Sequence, residues 1–357
     1  MSFVEVLRKQ KAHSKGVFGT RFVQDPETGI HYLMSVGHDA LKLWGIDGYG
    51  EEHFNLCLRR EVSVGRCSVQ HFDVSSTGRL IGVIGVDSTL YNIVLSGNSL
   101  EPETSHFNTG FLSMRFCSLF GSGYLTLSFN GSIKVVGFDG EVKQSAEIDP
   151  SHIKLRNVTS IAVSPSGSKI ALASNEGHVC LVDVDGTTLK STPNFEAHMK
   201  KIRAMSFLEN DERLLTGCDD RTIRLHNIID KPQKKFILSY CGHTALVTGI
   251  SVDRNSNDKR FASCANDKRC ILWDIKTASK LHIFDSAYES VINCISISDN
   301  GKYVAFGSDD GGLFVNELDT LQENEDNRKR ENSAVETEEM QIDDYIATSP
   351  KELVSEA

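Results

Sequence analysis

The sequence predicts an all-β protein, a seven-bladed β-propeller closed by its N-terminal strand and followed by an acidic, disordered C-terminal tail. Three observations predict it. A hairpin pattern recurs seven times, its turns lie 43 to 48 residues apart, and no 3.6-residue apolar period interrupts the series.

In chain order the copies are "LMSVGHDALKLWGI", "IGVIGVDSTLYNIV", "LTLSFNGSIKVVGF", "IALASNEGHVCLVD", "LLTGCDDRTIRLHN", "FASCANDKRCILWDI" and "VAFGSDDGGLFVNE". Each is a short apolar run, a polar turn, then a run alternating apolar and polar, which is the signature of two paired strands. The turns centre on Asp39, Asp87, Asn130, Glu176, Asp220, Asp267 and Asp310. Between hairpins lies a further strand-like run, such as "RAMSFLEND" or "INCISISDNG", so each repeat supplies four short strands, one blade. A blade cannot bury its own faces, and neighbours must stack around a ring. The first turn falls at residue 39, leaving one strand of sequence unused before it. "SFVEVLRKQ" (2–10) alternates like an outer strand and is expected to complete the last blade, covering an edge that would otherwise invite aggregation. The propeller is assigned to residues 2–320 and the tail to 321–357.

Charge and cysteine usage narrow the function. The net charge is −10, but the stretch from Asp319 to Ala357 holds 12 acidic and 4 basic residues, so the body is nearly neutral. A neutral body lacks the field that draws phosphate backbones, and direct nucleic-acid binding is not expected. No run approaches the roughly 18 apolar residues of a membrane helix, and the N-terminus has no apolar leader. Nine scattered cysteines read as free thiols in a reducing interior, cytoplasm and nucleus. There is no C-x2-C, and Cys264 and Cys270, across a hairpin turn, read as small core residues, so neither metal nor cofactor is expected. No G-x-S-x-G, H-E-x-x-H or P-loop appears, and "GSGYLTLSFNGS" (121–132) leads into a strand, not a helix. An enzyme is not expected.

The period, the Gly-His and Ala-His dipeptides, the turn aspartates and the Trp-Asp pair together resemble WD-repeat propellers. The resemblance implies a buried relay in which a His before the first strand, a Ser or Thr of the second, the turn Asp and a Trp of the third hydrogen-bond in series. Blade six matches fully with His243, Ser263, Asp267 and Trp273. Blade five has His198, Thr216 and Asp220, with His226 in place of Trp. Blade one has His13, Ser35 and Trp44, its His38-Asp39 turn one residue shorter. Blades two, three, four and seven lose most of the relay and are expected to be less rigid or held by packing alone.

Among such propellers the chain is most similar to the small family of WD-repeat subunits shared by the superkiller complex and the polymerase-associated-factor elongation complex. The similarity lies in "VLRKQKAHSKGVFGTRF", "LKLWGIDG" and the run from "AHMKKIRAMSF" through "CGHTALVTGISVD" to "SDDGGLFV". It implies a non-catalytic scaffold that docks a helical-repeat subunit and helps present an RNA helicase to the exosome for 3′-to-5′ mRNA decay, with elongation-complex subunits as further partners. The alternative is a substrate receptor of a cullin-type ubiquitin ligase. Some of those carry Arg two residues after Trp-Asp, whereas here Ile275 and Lys276 follow Trp273-Asp274.

Partner contacts are expected on the rim formed by the starts of the first strands and the residues before the turn aspartates: Phe18, Gln70, Phe129, Lys201, Arg203, Asp219, Thr248, Asn266, Asn293 and Asp309. Phe18 and Phe129 are either interface anchors or blade-to-blade core. Lys201 and Arg203 are expected to face acidic positions, as a mixed rim or an ordinary solvated surface. In the tail, "RKR" (328–330) is a weak import signal, Ser349-Pro350 a phosphorylation candidate, and "EMQIDDYI" (339–346) a docking peptide or a solubilising spacer.

Overall fold

The structure, a computed structural model, describes residues 5–318 with breaks at 10, 26–27, 48–54, 64–68, 76–79, 86–88, 97–98, 109–110, 117–122, 129–131, 138–140, 150, 153–157, 186–187, 230–235 and 285–288. The turn residues Asp87 and Asn130, the rim candidate Phe129 and the tail 321–357 lie outside the described residues.

Seven antiparallel sheets follow one another along the chain. Blade one, for example, is built from Val17–Gln24, His31–Gly37, Leu41–Asp47 and Asn55–Val62. Blade six comprises Val247–Val252, Arg260–Ala265, Cys270–Asp274 and Lys280–Phe284. The first strands touch in order around the ring, and that of blade seven (Ile292–Ile297) meets that of blade one. Closure comes from Glu5–Lys9, which pairs antiparallel with Leu313–Glu317 as the outer strand of blade seven. The N-terminal segment therefore covers the last edge, as its alternation predicts. Blade four departs from the simple pattern. Its outer strand is split into Thr188–Ser191 and Phe195–Glu196, both pairing His178–Asp185.

The apolar residues gather between blades. Leu272, Phe284, Val304 and Phe306 form the seam of blades six and seven. Leu33, Trp44, Tyr303 and Val315 form that of blades seven and one. Alternation explains this placement, because successive side chains of a strand point to opposite faces and each sheet has a neighbour on both. Cys264 and Cys270 are fully buried in one such seam, where burial pushes both thiols upward and leaves them protonated.

One feature repeats through all seven blades. The ladder between first and second strands slips by one residue near the start of the first strand, between Val17 and Gly19, Val69 and His71, Phe111 and Ser113, Val158 and Ser160, Ile202 and Ala204, Val247 and Gly249, and Ile292 and Cys294. Such a bulge sets two residues against one and re-aims the extra side chain. The skipped residues are Phe18, Gln70, Leu112, Thr159, Arg203, Thr248 and Asn293.

Candidate interaction site

The loops that enter the first strands and the turns between second and third strands meet at one rim. Backbone bonds tie them together. Asp219 N–H donates to Lys201 O at 2.9 Å, Asn266 N–H to Leu246 O at 3.0 Å and Asp309 N–H to Val291 O at 3.0 Å. Two sets of side chains stand on this frame, the buried relays and the bulge residues above them.

In blade six the Trp273 indole, which can only donate, gives its N–H to Ser263 Oγ at 2.8 Å. The Ser263 proton therefore goes to His243 Nε2, also 2.8 Å away. His243 then carries its own proton on Nδ1 and donates it to Asp267 at 3.0 Å. Asp267 also accepts from Thr244 N–H and Arg269 N–H, fastening the entering loop to the turn. Every buried polar atom in the series has a partner, the condition on which such a network is tolerated. Burial alone would raise the Asp267 carboxyl. The bonds from His243, Thr244 and Arg269 outweigh it and hold the group below the usual carboxylate range.

Blade five builds the same series with a different third strand. His198 Nδ1 donates to Asp220 at 2.7 Å, and Thr216 lies 2.8 Å from His198 Nε2. His226 stands where a tryptophan would, its Nε2 2.9 Å from Thr216 Oγ1. The imidazole replaces the indole as donor. Burial, with the electrostatic influence of His198 and Arg224 adding to it, pushes His226 down to about 3.

Blade one is complete, despite its shorter turn. His13 Nδ1 donates to Asp39 at 2.5 Å, Ser35 Oγ is 2.7 Å from His13 Nε2, and Trp44 Nε1 donates to Ser35 at 2.8 Å. Asp39 is thus a relay member that the sequence reading left out. Its spacing was a usable signal, because Ser35–Asp39, Thr216–Asp220 and Ser263–Asp267 are all four residues apart. The missing residue falls after the carboxylate, where it changes nothing. In blades four and seven the turns are held by serine instead. Ser174 Oγ accepts from Glu176 and His178 N–H, and Ser308 donates to Asp310.

The bulge residues differ from blade to blade. In blade one, Phe18 is 37% exposed and stands edge-on to the His38 ring at 4.4 Å between centroids. It is neither a seam residue nor free in water, but one half of an aromatic pair on the rim. In blade five the equivalent pair is ionic, with Arg203 gripping Asp219 through Nε and through Nη2 at 3.1 Å. In blade seven Asn293 Nδ2 donates to Asp309 at 3.1 Å.

One expectation for this rim is corrected, and one residue has a second task. Thr248, half-buried, also donates its hydroxyl across the seam to Ile292 O at 2.6 Å. Thr159 makes the same bond to Ile202 O at 2.5 Å, a stitching role signalled by Thr at the same strand position in both blades. Lys201 does not face an acid. It is half-buried with no ion pair among the described residues. Asn266 is half-buried beside the blade-six turn, and Gln70 is placed on its strand, its side chain lying outside the description.

His198, Cys218 and Asp220 bring three potential metal-binding atoms within 4.8 Å of one another. Both His198 nitrogens are already bonded, Asp220 holds His198 and Thr222, and Cys218 Sγ accepts from Asp220 N–H. An ion there would have to dismantle the relay. The central cavity, about 540 Å3, is lined by Arg21, Asp73, Ser206, Ser251, Ser296 and other first-strand residues. Cys294 lines it too, but burial pushes that thiol up to about 12. Among the described lining residues there is no histidine to activate a nucleophile.

Fold and relays together define the class: a seven-bladed propeller with three blades, one, five and six, locked by His–Ser/Thr–Asp networks. Three stretches of the chain match WD40 repeats. The family model "WD domain, G-beta repeat" matches residues 189–227, 234–274 and 278–315. Each match begins on or just before the outer strand of one blade and ends in the third strand of the next, so the sequence repeat straddles a seam. The chain is 27% identical over 168 residues to the guanine nucleotide-binding protein subunit beta of Saccharomyces cerevisiae, covering 45% of this chain and 38% of that protein. It is 30% identical over 166 residues to the WD repeat-containing protein 55 homolog of Drosophila melanogaster, covering 46% and 32%. It thus spans less than half the length of these relatives. Propellers of this type generally serve as non-catalytic scaffolds for protein partners.

Proposed function

We propose that the chain is the WD-repeat subunit of a superkiller-type assembly, docking a helical-repeat subunit and supporting an RNA helicase in exosome-mediated 3′-to-5′ mRNA decay. Its place is the cytoplasm, with a second role in a nuclear transcription-elongation complex. The observation that carries the reading is the segment "VLRKQKAHSKGVFGTRF", in which much of the family similarity lies. That one stretch contributes to the strand that closes the ring, supplies His13 to the blade-one relay, and presents Phe18 on the rim against His38. The aromatic pair on the blade-one rim and the Arg203–Asp219 pair on the blade-five rim give a partner lying across the ring both an apolar anchor and a directional charge.

The test is affinity purification of the tagged full chain with mass spectrometry, wild type beside Phe18→Ala/Arg203→Glu. Recovery of a helicase with a helical-repeat protein, and their loss from the variant with its circular dichroism unchanged, is the expected result. Recovery of a cullin adaptor without them would replace this reading with the ligase receptor. Equal recovery by both proteins would move the docking surface away from Phe18 and Arg203.

A further inference from the structure

The rim of blades five and six carries a group of cations that no acid among the described residues pairs with. Lys200, Arg221 and Lys268 are exposed and Lys201 half-buried, and none of the four makes an ion pair among the described residues. The local acids are already used. Asp219 is held by Arg203, Asp220 by His198, and Asp267 by His243. Two exposed carboxylates flank this loop, Glu196 on its approach and Glu176 on the blade-four turn against which it lies, and neither pairs with these four cations. Amid the cations stands Met199, 84% exposed, the most exposed large apolar side chain described.

Two of these cations occupy unfavourable backbone. The fourth residue of the second-to-third-strand turn is left-handed in blades four to seven, at Gly177 (φ 88°), Arg221 (φ 73°), Lys268 (φ 66°) and Gly311 (φ 88°). A side chain there costs roughly 1–2 kcal/mol against glycine. Blades four and seven use glycine, and a Cβ at either position would strike the following histidine loop, His198 O at 2.0 Å and His13 O at 2.3 Å. Blades five and six use Arg and Lys, both solvent-facing, side by side in the ring. The two residues that carry side chains in this strained position are both cationic, which sets like charges on adjacent turns of the rim.

We infer that this patch binds an acidic segment containing apolar side chains, and that the chain's own tail, around "VETEEMQIDDYI" (335–346), is that segment. Charge complementarity is the first argument. The tail is the only strongly acidic stretch of the sequence, and five of its carboxylates, Glu336, Glu338, Glu339, Asp343 and Asp344, surround Met340 and Ile342. Reach is the second. Leu318 ends blade seven, next to blade six, and the 22 residues from there to Met340 span up to about 75 Å when extended, against about 20 Å for the length of a blade strand. Tethering is the third, because an intramolecular site sees an effective concentration in the millimolar range. An exposed methionine with no aromatic stacking platform beside it among the described residues suits a peptide better than a single-stranded nucleic acid. The tail thereby competes with any partner for this part of the rim. The inference uses the rim but not the partner's identity, so it fails separately from the reading above.

Zero-length carbodiimide cross-linking of the full chain, read by peptide mass spectrometry, tests it. The expected result is amide links from Lys200, Lys201 or Lys268 to Glu336–Asp344 in the monomer fraction. They should fall at least about fivefold in 0.5 M salt, where the screening length drops to a few ångströms, and likewise in Met199→Ser. Links spread evenly over Lys9, Lys143 and Lys190, or found only between two copies, would overturn the proposal. So would protection of the rim lysines by a 12-nucleotide oligouridylate that leaves no tail links to displace, which would assign the patch to phosphate instead.

Discussion

Ser263→Ala strikes the blade-six relay at its centre. The hydroxyl is both the acceptor for Trp273 Nε1–H and the donor to His243 Nε2, each at 2.8 Å. Its removal strands two polar atoms on side chains that are fully or nearly fully buried. Each unsatisfied group costs about 1–3 kcal/mol, so the local loss is roughly 2–6 kcal/mol. A ring of blades need not unfold in one step, so global melting is a poor readout. Native-state hydrogen exchange of the amides in Arg260–Ala265 and Cys270–Asp274 reports the blade itself. A loss of about 3 kcal/mol accelerates that exchange on the order of 100-fold, with blades two and three unchanged. Trp273→Phe supplies the control. It removes the donor but leaves Ser263 bonded to His243. In the double variant the stranded indole no longer exists, so the two effects should fall short of additivity by about 1–2 kcal/mol. If the single effects add to within about 0.3 kcal/mol, the series is not a coupled network and the reasoning is wrong.

Other outcomes follow from the same geometry. His226, held near 3 against an ordinary 6.5, binds fewer protons folded than unfolded, so blade five loses stability as the pH falls from 6.5 towards 3, by up to about 1.4 kcal/mol per pH unit. His226→Gln should remove that part of the slope in blade-five exchange between pH 6.5 and 4.5, and an unchanged slope would show that the imidazole does not titrate on unfolding. The turn carboxylates act lower. Asp220 lies below its ordinary 3.8 when folded, so its contribution is full above that value and disappears as the pH falls beneath it, and Asp220→Asn should flatten the acid limb below pH 4. Gly177→Ala puts a Cβ 2.0 Å from His198 O at φ 88° and should cost at least about 2 kcal/mol in blades four and five, whereas Gly29→Ala, also left-handed but with nothing nearer than 3.9 Å, should cost about 1 kcal/mol, as denaturation midpoints would show. Deleting residues 1–10 bares the edge of Leu313–Glu317 and should produce concentration-dependent self-association by light scattering.

The ring was legible because a hairpin announces itself by alternation and turn chemistry, and seven copies repeat the announcement. Closure by the N-terminal strand was legible for the same reason, since "SFVEVLRKQ" had a strand's pattern and no other place to pair. The bulges were not. "VTGISV" alternates acceptably, and nothing in its letters says that Val247 and Thr248 share one partner position on the second strand. That slip decides which residues reach the rim and which of them, like Thr248, also bond across the seam. Asp39 was hidden by comparing turn lengths when the informative distance ran backwards to Ser35. His226 looked like a defect by residue type, yet as a nitrogen donor at the right height it does what the indole does.

The pairing of Glu5–Lys9 with Leu313–Glu317 also sets a clock. The first strand made is the last to find its partner, because about three hundred residues separate Lys9 from Leu313. At 5–20 residues per second a ribosome needs roughly 15–60 s to supply them. Through that interval six blades can assemble in order of appearance, each against its predecessor, while the N-terminal strand waits with its backbone groups unpaired. The ring therefore cannot lock before blade seven is made, and a chain stopped short of blade seven is an open crescent with two sticky ends.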